Sequence, residues 1–193
     1  SVLRQSSAYG LAQIVRVAPQ YIIPQFQTVV QSLISLATSP DAQEDENEGT
    51  TENALFAIGC ILSDQNFRAG AVDWVNVSPS NLCQIWLQGL PLKADDKEAK
   101  ITSAMLCNAI ENQDALVLGE NCANAPDIIR IFAEVLHSVN NISGKSNYAH
   151  SATISRMQIL LKGLCSNVNG AAAAASSKLT QAQQQVLSNA VNA

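Results

Sequence analysis

The side chains able to do acid–base, nucleophilic or metal chemistry are few and far apart. There are two histidines, His137 and His150, and five cysteines, Cys60, Cys83, Cys107, Cys122 and Cys165. A zinc site draws on Cys or His pairs separated by about two to five residues, and neither histidine has a cysteine or a second histidine at such a spacing. A serine or cysteine nucleophile announces itself by a G-x-S-x-G turn or a recognisable cysteine context, and the chain has neither. The surroundings of Gly59, Gly70 and Gly119 lack the glycine spacing that cradles a phosphate ahead of a helix. Carboxylates are plentiful but fall where helices start and in loops. The expectation is therefore no catalytic, metal-binding or cofactor-binding residue and no enzymatic activity, with both histidines serving on the surface or in packing. An odd number of cysteines without a CxxC pair reads as reduced, mostly buried thiols of the cytosol or nucleus.

The bulk composition narrows the partners. Net charge is −5 with only 11 Lys plus Arg, so no basic stripe faces a phosphate backbone and direct nucleic-acid binding is not expected. No apolar run approaches the ~20 residues of a membrane span, so no membrane insertion is expected. Of the 193 residues, 47% are apolar but only 5% aromatic. Apolar content carried by Ala, Leu, Ile and Val favours helices over an aromatic-rich sandwich.

Helical periodicity recurs along the whole chain. Phe26, Val29, Val30, Leu33 and Ala37 make one apolar stripe, and Leu55, Ile58 and Leu62 another. Ile128, Ile131, Phe132, Val135, Leu136 and Val139 make a third, and Ile154, Met157, Leu161, Leu164 and Val168 a fourth. The punctuation agrees. Pro24 and Pro126 fit first helical turns, and Ser78-Pro79 reads as an N-cap followed by its first helical residue. Asp95 with Glu98, and Thr180 with Gln183, have capping-box spacing. Pro91 closes one helix just before Asp95 opens the next, so Trp86 to Lys100 reads as the turn of an αα-hairpin.

Repetition sets the expected architecture. "RQSSAYGLAQI", "NALFAIGCIL" and "KITSAMLCNAI" begin at Arg4, Asn53 and Lys100, which are 49 and 47 residues apart. Each places a small residue (Ala8, Ala57, Ala104) four positions after a polar one. A period near ~40–47 with two helices per unit is that of HEAT-type repeats, whose hairpins bury their apolar faces by stacking. The predicted fold is all-α, a right-handed α-α superhelix (a HEAT/armadillo-like solenoid) of about four helical hairpins plus a C-terminal helix. The repeats run roughly over 1–17, 22–63, 78–112 and 126–168, with the terminal helix at 180–192. The polar ladder Arg4, Asn53 and Lys100 has two readings: it holds successive repeats in register, or it lines the concave face and touches a partner. The acidic run Pro40–Glu52, with six acids, reads as a solvated loop or, failing that, a docking site for a basic partner. The run "GAAAAASSK" from Gly170 either extends the preceding helix or joins it flexibly to the last one.

Four ordered segments carry a resemblance: "TTENALFAIGCIL" (Thr50–Leu62), "WLQGLPLKADDKEA" (Trp86–Ala99), "ENQDALVLGENCANAPDIIRIFAEVL" (Glu111–Leu136) and "TQAQQQVLSNAVNA" from Thr180. They resemble the C-terminal HEAT repeats of importin-beta (karyopherin-beta) superfamily receptors, of the karyopherin beta-three, importin five or Ran-binding protein five type. The resemblance implies nuclear import. Such receptors bind cargo proteins in the cytoplasm, cross the pore on phenylalanine-glycine nucleoporins, and release cargo to Ran-GTP in the nucleus, shuttling between the two compartments. It also implies that the chain is the C-terminal part of something longer, in keeping with a first residue, Ser1, that already reads as mid-helix. The main Ran-GTP site of such receptors lies in N-terminal repeats, outside the segments matched. Three stretches depart from the family pattern: Asp64–Ser80 with "FRAGAVDWVNV", read as an ordered insertion, then Asn140–Ala149 and the alanine run. The alternative is a generic HEAT-repeat scaffold or the regulatory subunit of a multiprotein complex.

Overall fold

The computed structural model describes residues 2–68, 77–140 and 148–192. Gly70 with the rest of 69–76 in the expected insertion Asp64–Ser80, and most of the stretch from Asn140 to Ala149, lie outside the described residues. Among those described, every regular element is helical and no strand occurs, so the chain is all-α. It divides into two compact units, Ser1–Gly89 and Leu90–Ala193. The division falls inside the segment Trp86–Lys100, so the two helices expected to pair over 78–112 belong to different units.

The first unit contains α1 (Val2–Val17), α2 (Phe26–Ala37), α3 (Glu48–Ser63), the single turn α4 (Gln65–Arg68) and α5 (Pro79–Gly89). Its centre is α3, buried without interruption from Thr50 to Leu62. A helix that is apolar all round has to be covered on all sides, and α1, α2, α4 and α5 all pack on it. From α1 come Ala8, Ala12 and Val15, a stripe small enough for the helices to lie close. From α2 come Phe26, Val29, Val30 and Leu33, the stripe read from the sequence. Phe26 stacks on Phe67 of α4 with ring centroids 5.5 Å apart. On the far side of α1, Val2, Leu3 and Val17 face solvent.

Glycines make the closest contacts in this unit. A Cβ on Gly59 of α3 would lie 2.6 Å from the indole Nε1 of Trp86 on α5, and a Cβ on Gly89 of α5 would run into Leu55 of α3. Each helix thus offers a hollow that a large side chain of the other fills. Gly49, under the side chain of Gln5, repeats the device between α3 and α1.

The second unit contains α6 (Asp96–Glu111), α7 (Ala115–Leu118), α8 (Ala125–Asn140), α9 (Ser151–Asn167), α10 (Ala171–Ser176) and α11 (Gln181–Asn192). The centre here is α8, with Ile128, Ile131, Phe132, Val135 and Leu136 all buried and α9, α10 and α11 packed on it. Lys178 ties the segment after α10 to Asp127 of α8 at 2.8 Å. Arg130 pairs with Glu134 at 2.7 Å and donates to the carbonyl of Leu90 at 2.9 Å.

The caps form where local spacing placed them. Asp95 Oδ1 accepts from the amides of Lys97 and Glu98, both at 2.9 Å. Gln183 Oε1 accepts from the Thr180 amide at 2.9 Å and Thr180 Oγ1 from the Gln183 amide at 3.4 Å. Three details differ from the sequence reading. Pro24 belongs to a 3-10 turn, Ile23–Gln25, that leads into α2. The acidic run is a loop only as far as Asn47; Glu48–Glu52 is the first turn of α3, where Thr50, Thr51 and Glu52 are buried. Thr51 Oγ1 donates to the carbonyl of Ala42 at 2.9 Å and the Asn47 amide to Asp41, so side-chain bonds rather than charge decide where the loop ends. The alanine run does not prolong α9 but forms a short helix of its own. Gly170, at φ 76°, turns the chain, and α10 then buries Ala171 and Ala175.

Candidate protein-docking groove

In the second unit an apolar groove of about 630 Å³ runs between α9 and the segment from Ile110 to Cys122. Two rows with a spacing of four residues, on α9 and the Val168 that follows it, form one wall and the floor: Ile159–Gly163–Asn167 and Leu160–Leu164–Val168. Leu164 is buried while Ile159 is 72% exposed, so α9 is apolar beyond the stripe that packs on α6 and α8. Ile110, Ala115, Leu118 and Cys122 form the opposite wall. The polar lining residues, Gln113, Asn121 and Asn167, are uncharged amides.

The wall opposite α9 is held by specific backbone geometry. Asp114 caps α7 by accepting from the Leu116 amide at 3.0 Å. The chain then turns through positive φ at Gly119 (75°), Asn121 (52°) and Cys122 (60°), a region natural to glycine and tolerated by asparagine. Asn124, buried beneath this turn, donates from its side chain to the Val117 carbonyl at 3.0 Å and from its backbone to Leu118 at 3.0 Å. At the neighbouring end of α9, Arg156 donates to Glu111 and Asn108 of α6, each at 2.6 Å from Nη2. That bond holds the Glu111 carboxyl below its usual range and raises the guanidinium of Arg156.

Cys107, on α6, has its thiol pushed up to about 11 by burial. At neutral pH it is therefore protonated as well as shielded. Alkylation of the native chain, followed by mass spectrometry, is expected to modify Cys122 on the groove wall well before Cys107. Comparable rates would show that α6 opens readily.

None of the polar ladder lines this groove. Asn53 is 8% exposed and donates its amide to the carbonyl of Gln5 at 3.2 Å, tying α3 to α1. Arg4, exposed on α1, reaches Asn47 Oδ1 at 3.4 Å and Asp41 at 4.0 Å. Lys100 stands in the other unit, one turn from Asp96 at 3.9 Å. Arg4 and Asn53 thus lie on the adjoining helices α1 and α3 of the first unit, and Lys100 belongs to the second. Asn53→Ala should destabilise the first unit by about 1 kcal/mol, the net worth of one such bond, and Asn53→Asp by more because it sets an acceptor against an acceptor. Urea midpoints of the two variants check this ordering. His137 is half-buried near the end of α8, and His150 is exposed at the N-cap of α9. No group of three or more His, Cys, Asp or Glu able to hold a metal is found among the described residues, and none of their helices is long and apolar enough to cross a membrane.

The groove was missed in the sequence because Ile159 and Leu160 fall off the stripe Ile154–Met157–Leu161–Leu164–Val168. Two apolar residues beside a complete stripe, opposite the unusual "LVLGEN" turn, were the available signal.

No family model matches the chain. Among curated proteins it is similar to Importin subunit beta-3 of Saccharomyces cerevisiae (strain ATCC 204508 / S288c), with 26% identity over 141 residues. The match covers 73% of this chain and 12% of the yeast protein, so the chain spans a small part of that relative's length.

Proposed function

We propose that the chain is part of a nuclear import receptor of the karyopherin beta-three kind. It acts by binding proteins rather than by catalysis, and it shuttles between cytoplasm and nucleus. Its partners on this reading are cargo proteins, phenylalanine-glycine nucleoporins and Ran-GTP. The observation that carries the reading is the similarity to yeast Importin subunit beta-3 over 73% of the chain. The all-helical architecture and an open, uncharged, apolar groove support it, since helical repeats present extended surfaces to other proteins.

The experiment is a titration of Ran loaded with GTP or GDP against the chain, alone and within its natural full-length product, with and without a lysine-rich cargo peptide. The expected result is tight, GTP-selective binding by the full-length product that displaces cargo. Equal or absent binding of the two nucleotide forms would overturn the transport reading in favour of a helical scaffold.

A further inference from the structure

We infer that residues 113–123 form a strap that opens as one piece, ahead of the rest of the second unit, and so sets the width of the groove. Its two ends are hinges at which side chains stand in the left-handed region. At the first, Gln113 (φ 53°) follows Asn112, the C-cap of α6. The Gln113 amide donates to the Ile110 carbonyl at 3.0 Å and the Asp114 amide to the Ala109 carbonyl at 2.9 Å. A helix that ends with this pair of bonds usually has glycine where Gln113 stands. At the second hinge Asn121 (52°) and Cys122 (60°) follow one another, and only the asparagine is at ease there. Holding these residues in place stores strain that a local rearrangement would release.

Between the hinges the segment coheres but is lightly fastened. Backbone bonds run within it, from Leu118 to Asp114, Gly119 to Ala115, Cys122 to Gly119 and Ala123 to Glu120. In it α7 packs on the turn Glu120–Cys122 and on α6, and the groove lies between it and α9. Of residues 111–123, all of them described, Val117 alone is buried. At 2% exposure it plugs the strap into the unit, while Asn124 at the far end holds the Val117 and Leu118 carbonyls. A segment with internal hydrogen bonds but few buried apolar side chains opens at a free energy well below that of global unfolding. Ala115, Leu118 and Cys122 of the strap form one groove wall, so opening moves that wall away from Leu160 and Leu164. Opening does not depend on the transport reading, which the Ran titration tests separately.

The test is native-state hydrogen exchange of the full chain in low guanidinium, followed by NMR. The amides of Leu118, Gly119, Cys122 and Ala123 should exchange through one shared opening, with protection well below that of the α8 amides and little denaturant dependence. Gln113→Gly and Cys122→Gly, which relieve the hinges, should each lower that opening by about two- to fivefold. Val117→Ala, which loosens the plug, should raise it by about tenfold or more. The glycine variants keep Val117 in place and so report even where Val117→Ala unfolds. In each folded variant the amides should shift by the same factor. Exchange only together with α8 would overturn the inference, since the strap would then belong to the core of the unit. So would amides that respond one by one, as in a fraying loop, or variants that open just as readily as the parent.

Discussion

Cutting Trp86 back to alanine is expected to lower the stability of the first unit by about 3–5 kcal/mol. The side chain is 1% exposed and among the largest that are fully buried, and its loss leaves a cavity that α3 and α5 cannot close without moving. Among the described residues its indole N–H has no hydrogen-bond partner, so packing is what the ring contributes, and Trp86→Phe should lose much less. Gly59→Ala alone should cost about 1–3 kcal/mol, since its Cβ would stand 2.6 Å from Nε1. In a Trp86→Ala background that cost should vanish or reverse, because the obstructing ring is gone and alanine favours the helix. Guanidinium midpoints for the four proteins, at constant m-value, give the coupling. Costs that simply add would mean that the two residues do not oppose each other.

In the second unit, Ile131→Ala should cost about 2–5 kcal/mol. Ile131 is 2% exposed in the middle of α8, the helix on which α9, α10 and α11 all rest. Because α8 is shared, its neighbours cannot relax toward one side without leaving another, which places the expected value in the upper half of that range. Domains carry only about 5–15 kcal/mol in total, so the variant should melt at a clearly lower temperature than the parent. An unchanged midpoint would show that this stripe does not bear the core.

Much of the helical framework was legible because its causes are local. Asp95 and Thr180 find their partners within three residues, and the stripes of α2 and α8 follow from helical spacing alone. The end of the acidic loop was not legible. It depends on Thr51 bonding the Ala42 carbonyl and Asn47 bonding Asp41, and charge content says nothing of either. Asn53 was read with two possible roles; its side chain donates to the Gln5 carbonyl, a partner 48 positions away that spacing along the chain does not reveal. The groove escaped because a stripe search stops once one face of α9 is accounted for.

The glycines divide most clearly what each level of description decides. Gly59 and Gly163 look alike in the sequence, each within a helix and followed by apolar residues. Composition and periodicity determined that both lie on helices, since backbone hydrogen bonding and side-chain spacing act over a few residues. Whether the hollow beside each is filled depends on a side chain brought from elsewhere in the chain. Trp86 covers Gly59 because α5 packs on α3, while a Cβ added to Gly163 would meet no atom of the described residues within 4 Å. Only the tertiary structure could decide that, because the filling residue comes from another helix whose position follows from the packing of the whole unit.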